Sequence, residues 1–355
     1  MAQNEPLLSA EAVSWAFRLL IGREPASPEE VERHRRLGSI EKLRTAFAHT
    51  WEFQDYADRA SMIGRPNYRL PLFLLRPPQD PAIPFRFAPP TLDKPVCQLC
   101  TAGQLAEPAM AEIMAALGTP HDRGRRAWEN AYVVAALAEA GVIAEGKRVL
   151  ALDSGRSRIP ALLAARGVTV LASDPPGTEV PEAVGDDPEA RARHHLLGML
   201  YPDVAVLDEF EALVDWREVD PHAIPADLAG RFDALFSVGA MPLAGSVDRA
   251  LSILTSSLDA LKPGGIAVHT LEFSLASNTA IVSNAKLSVL RRIDLERLAT
   301  SLAAEGHSIA PLCFHPGDAE EDEEISSGPA KRLLPKRRFG AHMVGLFGVI
   351  VRKKG

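Results

Sequence analysis

Asp153 and Asp174 each follow an apolar run, RVLAL (148–152) and VTVLAS (168–173). A carboxylate just past the end of a strand can accept hydrogen bonds from a ligand's hydroxyl or ammonium groups. Asp153 opens the turn DSGRS, which leads into the Ala/Leu-rich stretch RIPALLAARG and holds Gly155 between Asp153 and Ser157. Asp174 stands where an α/β nucleotide site holds the hydroxyl pair of a ribose. It also suits the start of an ordinary turn, SDPPG. Asp220, in VDPHAIP, follows another short strand and reads either as an acceptor for an adenine amino group or as a plain Asp-Pro turn. His269 and Glu272 lie at the end of the run IAVHTLEF. Together they could move a proton, although strand alternation puts them on opposite faces, so that only one would point into a cleft. Edge polarity or a satisfied turn explains them equally.

Other groups that could do chemistry read more plainly. Cys97-Gln-Leu-Cys100 is a lone C-x-x-C, and a zinc site wants four ligands; no metal is expected. His194-His195 has no further ligand at metal spacing and reads as a surface pair. Trp128 reads as core, and Arg291, Arg292 and Asp294 read as an anion site or a solvated helix start. No G-x-S-x-G or P-loop string occurs, which removes support for hydrolase and NTPase chemistry.

A chain of 355 residues with 46% hydrophobic residues has room for a full core in two domains or one decorated domain. The formal net charge of −7 weighs against nucleic acid as the main partner. No apolar run reaches the length of a membrane span, and MAQNEPLLSAEAVSWAF lacks the basic start of a signal peptide. Three cysteines make no disulfide framework, so a cytoplasmic location is expected.

The elements that must position these residues alternate between strand and helix from about residue 125. KRVLAL, VTVLASD, RFDALFSVG and IAVHTLEF read as strands, and RRAWENAYVVAALAEAGV, SVDRALSILTSSLDAL and DLERLATSLAAEG as helices. This order implies a doubly wound, mostly parallel sheet. The last two runs, HSIAPLCF and HMVGLFGVIVRK, have only a loop between them and suggest an antiparallel hairpin at one edge. Residues 1–62 read as a small all-helical module. Ser9 and Ser27 are its caps, Pro28 sits at a first helical position, and Ile40, Leu43, Phe47 and Trp51 form an apolar face. The span 63–100 is so rich in proline that it reads as an extended linker carrying Phe73, Phe85 and Phe87. Residues 101–355 form the α/β domain.

The string LKPGGIAVHT, with its Gly264-Gly265 turn, resembles the class I S-adenosylmethionine-dependent methyltransferases. RRAWENAYVVAALAEAGVIAEGKRVLAL, VDPHAIPADLAGRFDALFS and RRIDLERLATSLAAEGH narrow the likeness to a bacterial subgroup. FRLLIGREP and WEFQDY are similar to a helical module found in surface-glycan assembly proteins. The resemblance implies a seven-stranded Rossmann-like sheet with S-adenosylmethionine across the carboxyl ends of its strands. Asp153, Gly155 and Ser157 would then meet the methionine part, Asp174 the ribose and Asp220 the adenine. Ser237 would also contact the cofactor and the region after FDALFSVG would face the methyl group, with His269 and Glu272 as catalytic candidates. The implied acceptor is a small polar molecule, and the N-terminal likeness points to a glycan or its precursor; the oligomeric state is open. Two departures stand out. Asp153 and Ser157 replace the outer glycines of the usual turn, and Pro242 and Leu243 replace an acidic residue and a histidine. These departures suit the alternative of a catalytically inactive methyltransferase-like protein that binds or regulates a partner.

Overall fold

The computed structural model describes residues 7–48, 50, 52–53, 71–239, 244–280, 282–284, 287–325, 334–339 and 342–355. The chain divides into two compact units, Met1–Tyr68 with Ser326–Lys331, and Arg69–Ile325 with Arg332–Gly355.

In the first unit, helices α1 (Ala10–Ala16), α2 (Pro28–Arg35) and α3 (Ile40–Ala48) start where the capping residues dictate. The Ser9 side chain accepts from the Ala12 amide and Ser27 from the Glu30 amide, which satisfies donors that a helix start leaves open. Val13, Phe17, Ile21, Leu43 and Phe47 form the core, with His34 stacked on Phe47 at 5.1 Å. Ile40, expected on the apolar face, is exposed, because it opens its helix a turn away from that core. Trp51 lies outside the described residues.

The second unit is built on one sheet. Its strands are β1 (Cys97–Leu99), β2 (Arg148–Leu152), β3 (Thr169–Asp174), β4 (Val214–Glu218), β5 (Phe232–Ser237), β6 (Leu261–Ser274), β7 (Val282–Asn284), β8 (Leu287–Leu290), β9 (Ser308–Ile309), β10 (Leu312–Cys313), β11 (Lys336–Phe339) and β12 (His342–Arg352). The order is β10-β1-β12-β6-β5-β2-β3-β4, with β2 to β6 all parallel. β2 and β5 are buried almost throughout, which requires cover on both faces of the sheet. Helices α4 (Pro108–Ala116), α5 (Arg125–Glu139), α6 (Ile159–Ala164), α7 (Pro188–Met199), α8 (Leu207–Leu213), α9 (Val247–Ser256) and α10 (Arg292–Ala304) are interleaved with the strands.

Three features depart from the sequence reading. β12 is not an edge strand; it runs antiparallel between β6 and β1, where its apolar residues find neighbours on both sides. The proline-rich span supplies β1 to the sheet interior, and Phe85 bridges to Leu312. Arg292 fastens this span by donating to the carbonyls of Phe73 and Arg76. The Lys-Pro-Gly-Gly segment is already part of β6, as an irregularity where the register against β5 shifts between Phe232 and Ala234. There Gly264 has φ +76°, and a Cβ on Gly265 would lie 3.0 Å from the Asp233 carbonyl oxygen.

Candidate functional site

β2 has β3 on one side and β5 on the other, so the strand order reverses at this pair. In open α/β sheets ligands bind in the crevice outside the carboxyl ends of the strands at such a reversal. The residues placed there are the turn after β2, the end of β5 and the start of α5.

The turn is tied to β3 at three points. Ser154 donates to the Ser173 carbonyl from both its amide (2.8 Å) and its hydroxyl (3.1 Å). The Gly155 amide donates to Asp174 Oδ1 at 2.8 Å. Asp153 has φ +51°, and among the described residues it is the one non-glycine in the left-handed region, a conformation that Asp tolerates better than most. Gly155 follows at φ +50°, and its backbone faces open space. Burial pushes the Asp153 carboxyl up, neighbouring Asp174 adds to the rise, and Arg126 opposes it. The Ser157 hydroxyl accepts from the Ile159 amide at 3.2 Å, so it serves the start of α6.

Asp174 faces inward and is 1% exposed. Besides the Gly155 amide it accepts from Trp216 Nε1 at 2.9 Å on Oδ2, and the same oxygen lies 3.0 Å from His195 Nδ1. His195 therefore belongs to the site and not to the surface: it is 8% exposed and stacks on Trp216 at 4.1 Å, with the rings 5° from parallel. The helical spacing contained this signal, since His195 shares the face of Ala192 and Met199 on α7. Asp220 is exposed, and its Oδ1 accepts from the His222 amide at 2.9 Å, a turn contact.

At the ends of β5 and β6 the structure joins a second group whose members, Glu129 and Thr270, lie far apart in the sequence. Glu129 on α5 is 7% exposed, and its Oε1 accepts from Thr270 Oγ1 at 2.9 Å. Thr270 Oγ1 in turn accepts from the Gly239 amide at 3.2 Å, and Arg126 donates to the Val238 carbonyl at 3.0 Å. Burial raises the Glu129 carboxyl above its ordinary range against the pull of Arg126. Glu272 is gripped by Arg125 at 2.6 Å and by Arg337 at 2.5 Å. Residues 240–243, which include Pro242 and Leu243, lie outside the described residues.

His269 is fully buried between β5 and the segment after α9. Ser257 spends its proton on the Leu254 carbonyl, so His269 Nε2 donates to Ser257 (3.2 Å), and Nδ1 accepts from Ser237 (2.8 Å). Both ring nitrogens and the Ser237 hydroxyl are thus used inside the core. Burial lowers the His269 pKa to about 3 from an ordinary 6.5. The unfolded chain then binds this proton more readily, so the contribution is complete above pH 6.5 and is lost as pH falls toward 3. Acidification through that window is expected to cost up to about 1.4 kcal/mol per pH unit from this group. Urea unfolding at several pH values should show a shallower dependence in His269→Gln; parallel curves would refute the assignment.

The remaining candidates are engaged by other protein groups or buried. Arg291 chelates Asp294 at 2.7 and 2.8 Å at the start of α10. Trp128 is fully buried, with Nε1 donating to Gln104 at 2.7 Å. Cys97 and Cys100 are buried, and burial pushes the Cys97 thiol up to about 12. Among the described residues no helix is long and apolar enough to cross a membrane.

No family model and no curated protein matches the chain. Solved structures similar to it include 1,6-didemethyltoxoflavin-N1-methyltransferase from Burkholderia thailandensis, at 17% identity over 72% of this chain and 82% of that one, TM-score 0.37. A 16S rRNA (adenine(1408)-N(1))-methyltransferase from Catenulisporales acidiphilia shares 18% identity over 62% and 93%, TM-score 0.36. Magnesium protoporphyrin IX methyltransferase from Synechocystis shares 12% over 63% and 82%, TM-score 0.36. The fold is defined by the strand order and register given above, not by these likenesses.

Proposed function

We propose that the α/β unit transfers a methyl group from S-adenosylmethionine to a small polar acceptor, with a glycan or glycan precursor as the acceptor class. The observation that carries this reading is the half-buried carboxyl of Asp153 at the point where the strand order reverses, beside a glycine whose backbone opens on empty space. The carboxyl groups of Asp153 and Glu129, both under the influence of Arg126, would suit a ligand that carries an ammonium and a sulfonium. When bound, S-adenosylmethionine supplies a methyl group made electrophilic by its sulfonium.

The chain's own residues would then do the following. Asp153 and the Gly155 turn orient the ammonium end. Asp174 fixes that turn through the Gly155 amide and is the acceptor available to a ribose hydroxyl pair once His195 is displaced. Glu129, oriented by Thr270, takes the proton from an acceptor hydroxyl; its raised pKa moves it toward the range of a working general base. Glu272 positions Arg125 and Arg337, while His269 and Ser237 act through the packing of β5 against β6. Alignment and exclusion of water carry most of the rate in such a transfer, so the demand on acid–base groups is small. The acidic chain makes a nucleic-acid acceptor the less suitable one.

The occupation of Asp174 by protein donors favours one second reading, a catalytically silent form of the fold that binds a partner. Calorimetry with S-adenosylmethionine and S-adenosylhomocysteine separates the two. Saturable binding, weakened about tenfold for S-adenosylmethionine by Asp153→Asn, is expected from loss of one charged contact. No heat at millimolar ligand would sink the enzyme reading.

A further inference from the structure

We propose that His195 is the resident occupant of the Asp174 site, and that a nucleoside with a vicinal diol binds by displacing it. This inference rests on the cofactor reading above and adds to it the residue that sets the affinity.

His195 is held on one side only. Nδ1 lies 3.0 Å from Asp174 Oδ2, and because a carboxylate can only accept, Nδ1 is the nitrogen that carries the ring proton, which leaves Nε2 as an acceptor. That Nε2 is buried and has no hydrogen-bond partner among the described residues. A buried acceptor without a donor costs free energy in the closed arrangement, and this cost is recovered when the ring moves out to water. The carboxylate left behind would lose one donor at Oδ2, while Oδ1 accepts only from the Gly155 amide among the described residues, so adjacent hydroxyls on a five-membered ring would serve one oxygen each.

The neighbouring surface suits the rest of such a ligand. A cleft of about 500 Å³ is lined by Trp216 together with Gly177, Asp186, Arg191 and Glu218 among others. This lies in the size range of small-molecule sites. Trp216 is common to both places: it stacks on His195, donates to Asp174 and lines the cleft. Displacing His195 would free an indole face for a planar heterocycle. The helix that carries His195 has its own catch, since Arg191 donates to Glu218 at 2.8 Å and to the Thr178 carbonyl at 2.9 Å. The closed form is thus fastened at the mouth of the cleft as well as at Asp174.

Equilibrium titration with S-adenosylhomocysteine, followed by the emission of Trp216 and referenced to Trp216→Phe, tests the proposal. His195→Ala should bind about tenfold more tightly than the unsubstituted protein, because the competing occupant is gone. His195→Phe keeps a ring in place and should bind no more tightly. Equal affinity for the unsubstituted protein and His195→Ala would overturn the displacement while leaving the methyl-transfer reading intact. Absence of binding to all three at millimolar ligand would overturn both. A measurement without variants guards against misfolding: the hydrogen-bonded Nδ1 proton of His195 should vanish from the NMR spectrum at saturation. Its persistence in the complex would overturn the proposal.

Discussion

Asp174→Ala is expected to lower the unfolding free energy by about 3–5 kcal/mol, measured by urea denaturation. The figure follows from what the carboxylate holds together. Its removal strands the Gly155 amide, the Trp216 indole N–H and the His195 Nδ1–H, all at a residue only 1% exposed. Each stranded buried donor costs about 1–3 kcal/mol, and water entering the small space returns part of it. Asp174→Asn keeps the shape but turns one acceptor into a donor facing other donors, so it should fall between alanine and the unsubstituted protein. A loss below about 1 kcal/mol would mean that solvent, not Asp174, satisfies these groups. The result also governs how binding data are read. A variant that unravels the turn loses cofactor affinity whether or not the carboxylate touches a ribose, and the His195 variants are the cleaner probe.

The second large effect lies away from the site. Gly348→Ala is expected to destabilise the protein by about 3 kcal/mol. A Cβ there would lie 2.1, 2.2 and 2.6 Å from three atoms of the Tyr132 ring. The ring has nowhere to retreat. Tyr132 is fully buried, stacks on Trp128 at 5.1 Å and donates its hydroxyl to the Val96 carbonyl at 2.7 Å. Tyr132→Leu should be destabilising alone and yet partly restore Gly348→Ala, so a double-mutant cycle in thermal unfolding should show favourable coupling. Strict additivity would refute the clash.

What the sequence made legible was local. Ser9, Ser27 and Pro28 announce helix starts because capping is a contact within one turn. The strand–helix alternation gives the parallel sheet because period and length are written in consecutive residues. What stayed hidden depends on partners far along the chain. Asp174 could be placed at a strand end, but that its oxygens are engaged by Trp216 and His195 is settled only when β4 and α7 pack beside it. Glu129 and Thr270 are likewise distant in sequence and joined by one hydrogen bond. Proline density hid β1, because three residues of strand inside a proline-rich run carry almost no periodic signal. The grip of Arg125 and Arg337 on Glu272 explains why a carboxylate in the expected place is held by protein cations.

The position of β12 has a consequence for synthesis. β1 and β6 leave the ribosome well before residues 342–352, and until those residues emerge each lacks the strand that will lie between them. During that interval the nascent chain presents the unpaired backbone edge of a long apolar strand, a template for pairing with other chains. Closing the sheet then requires a contact of high sequence separation, a slow step by its loop entropy. A nonsense codon or frameshift a few residues short of Arg352 would therefore act as a deletion within the core and leave an aggregation-prone product.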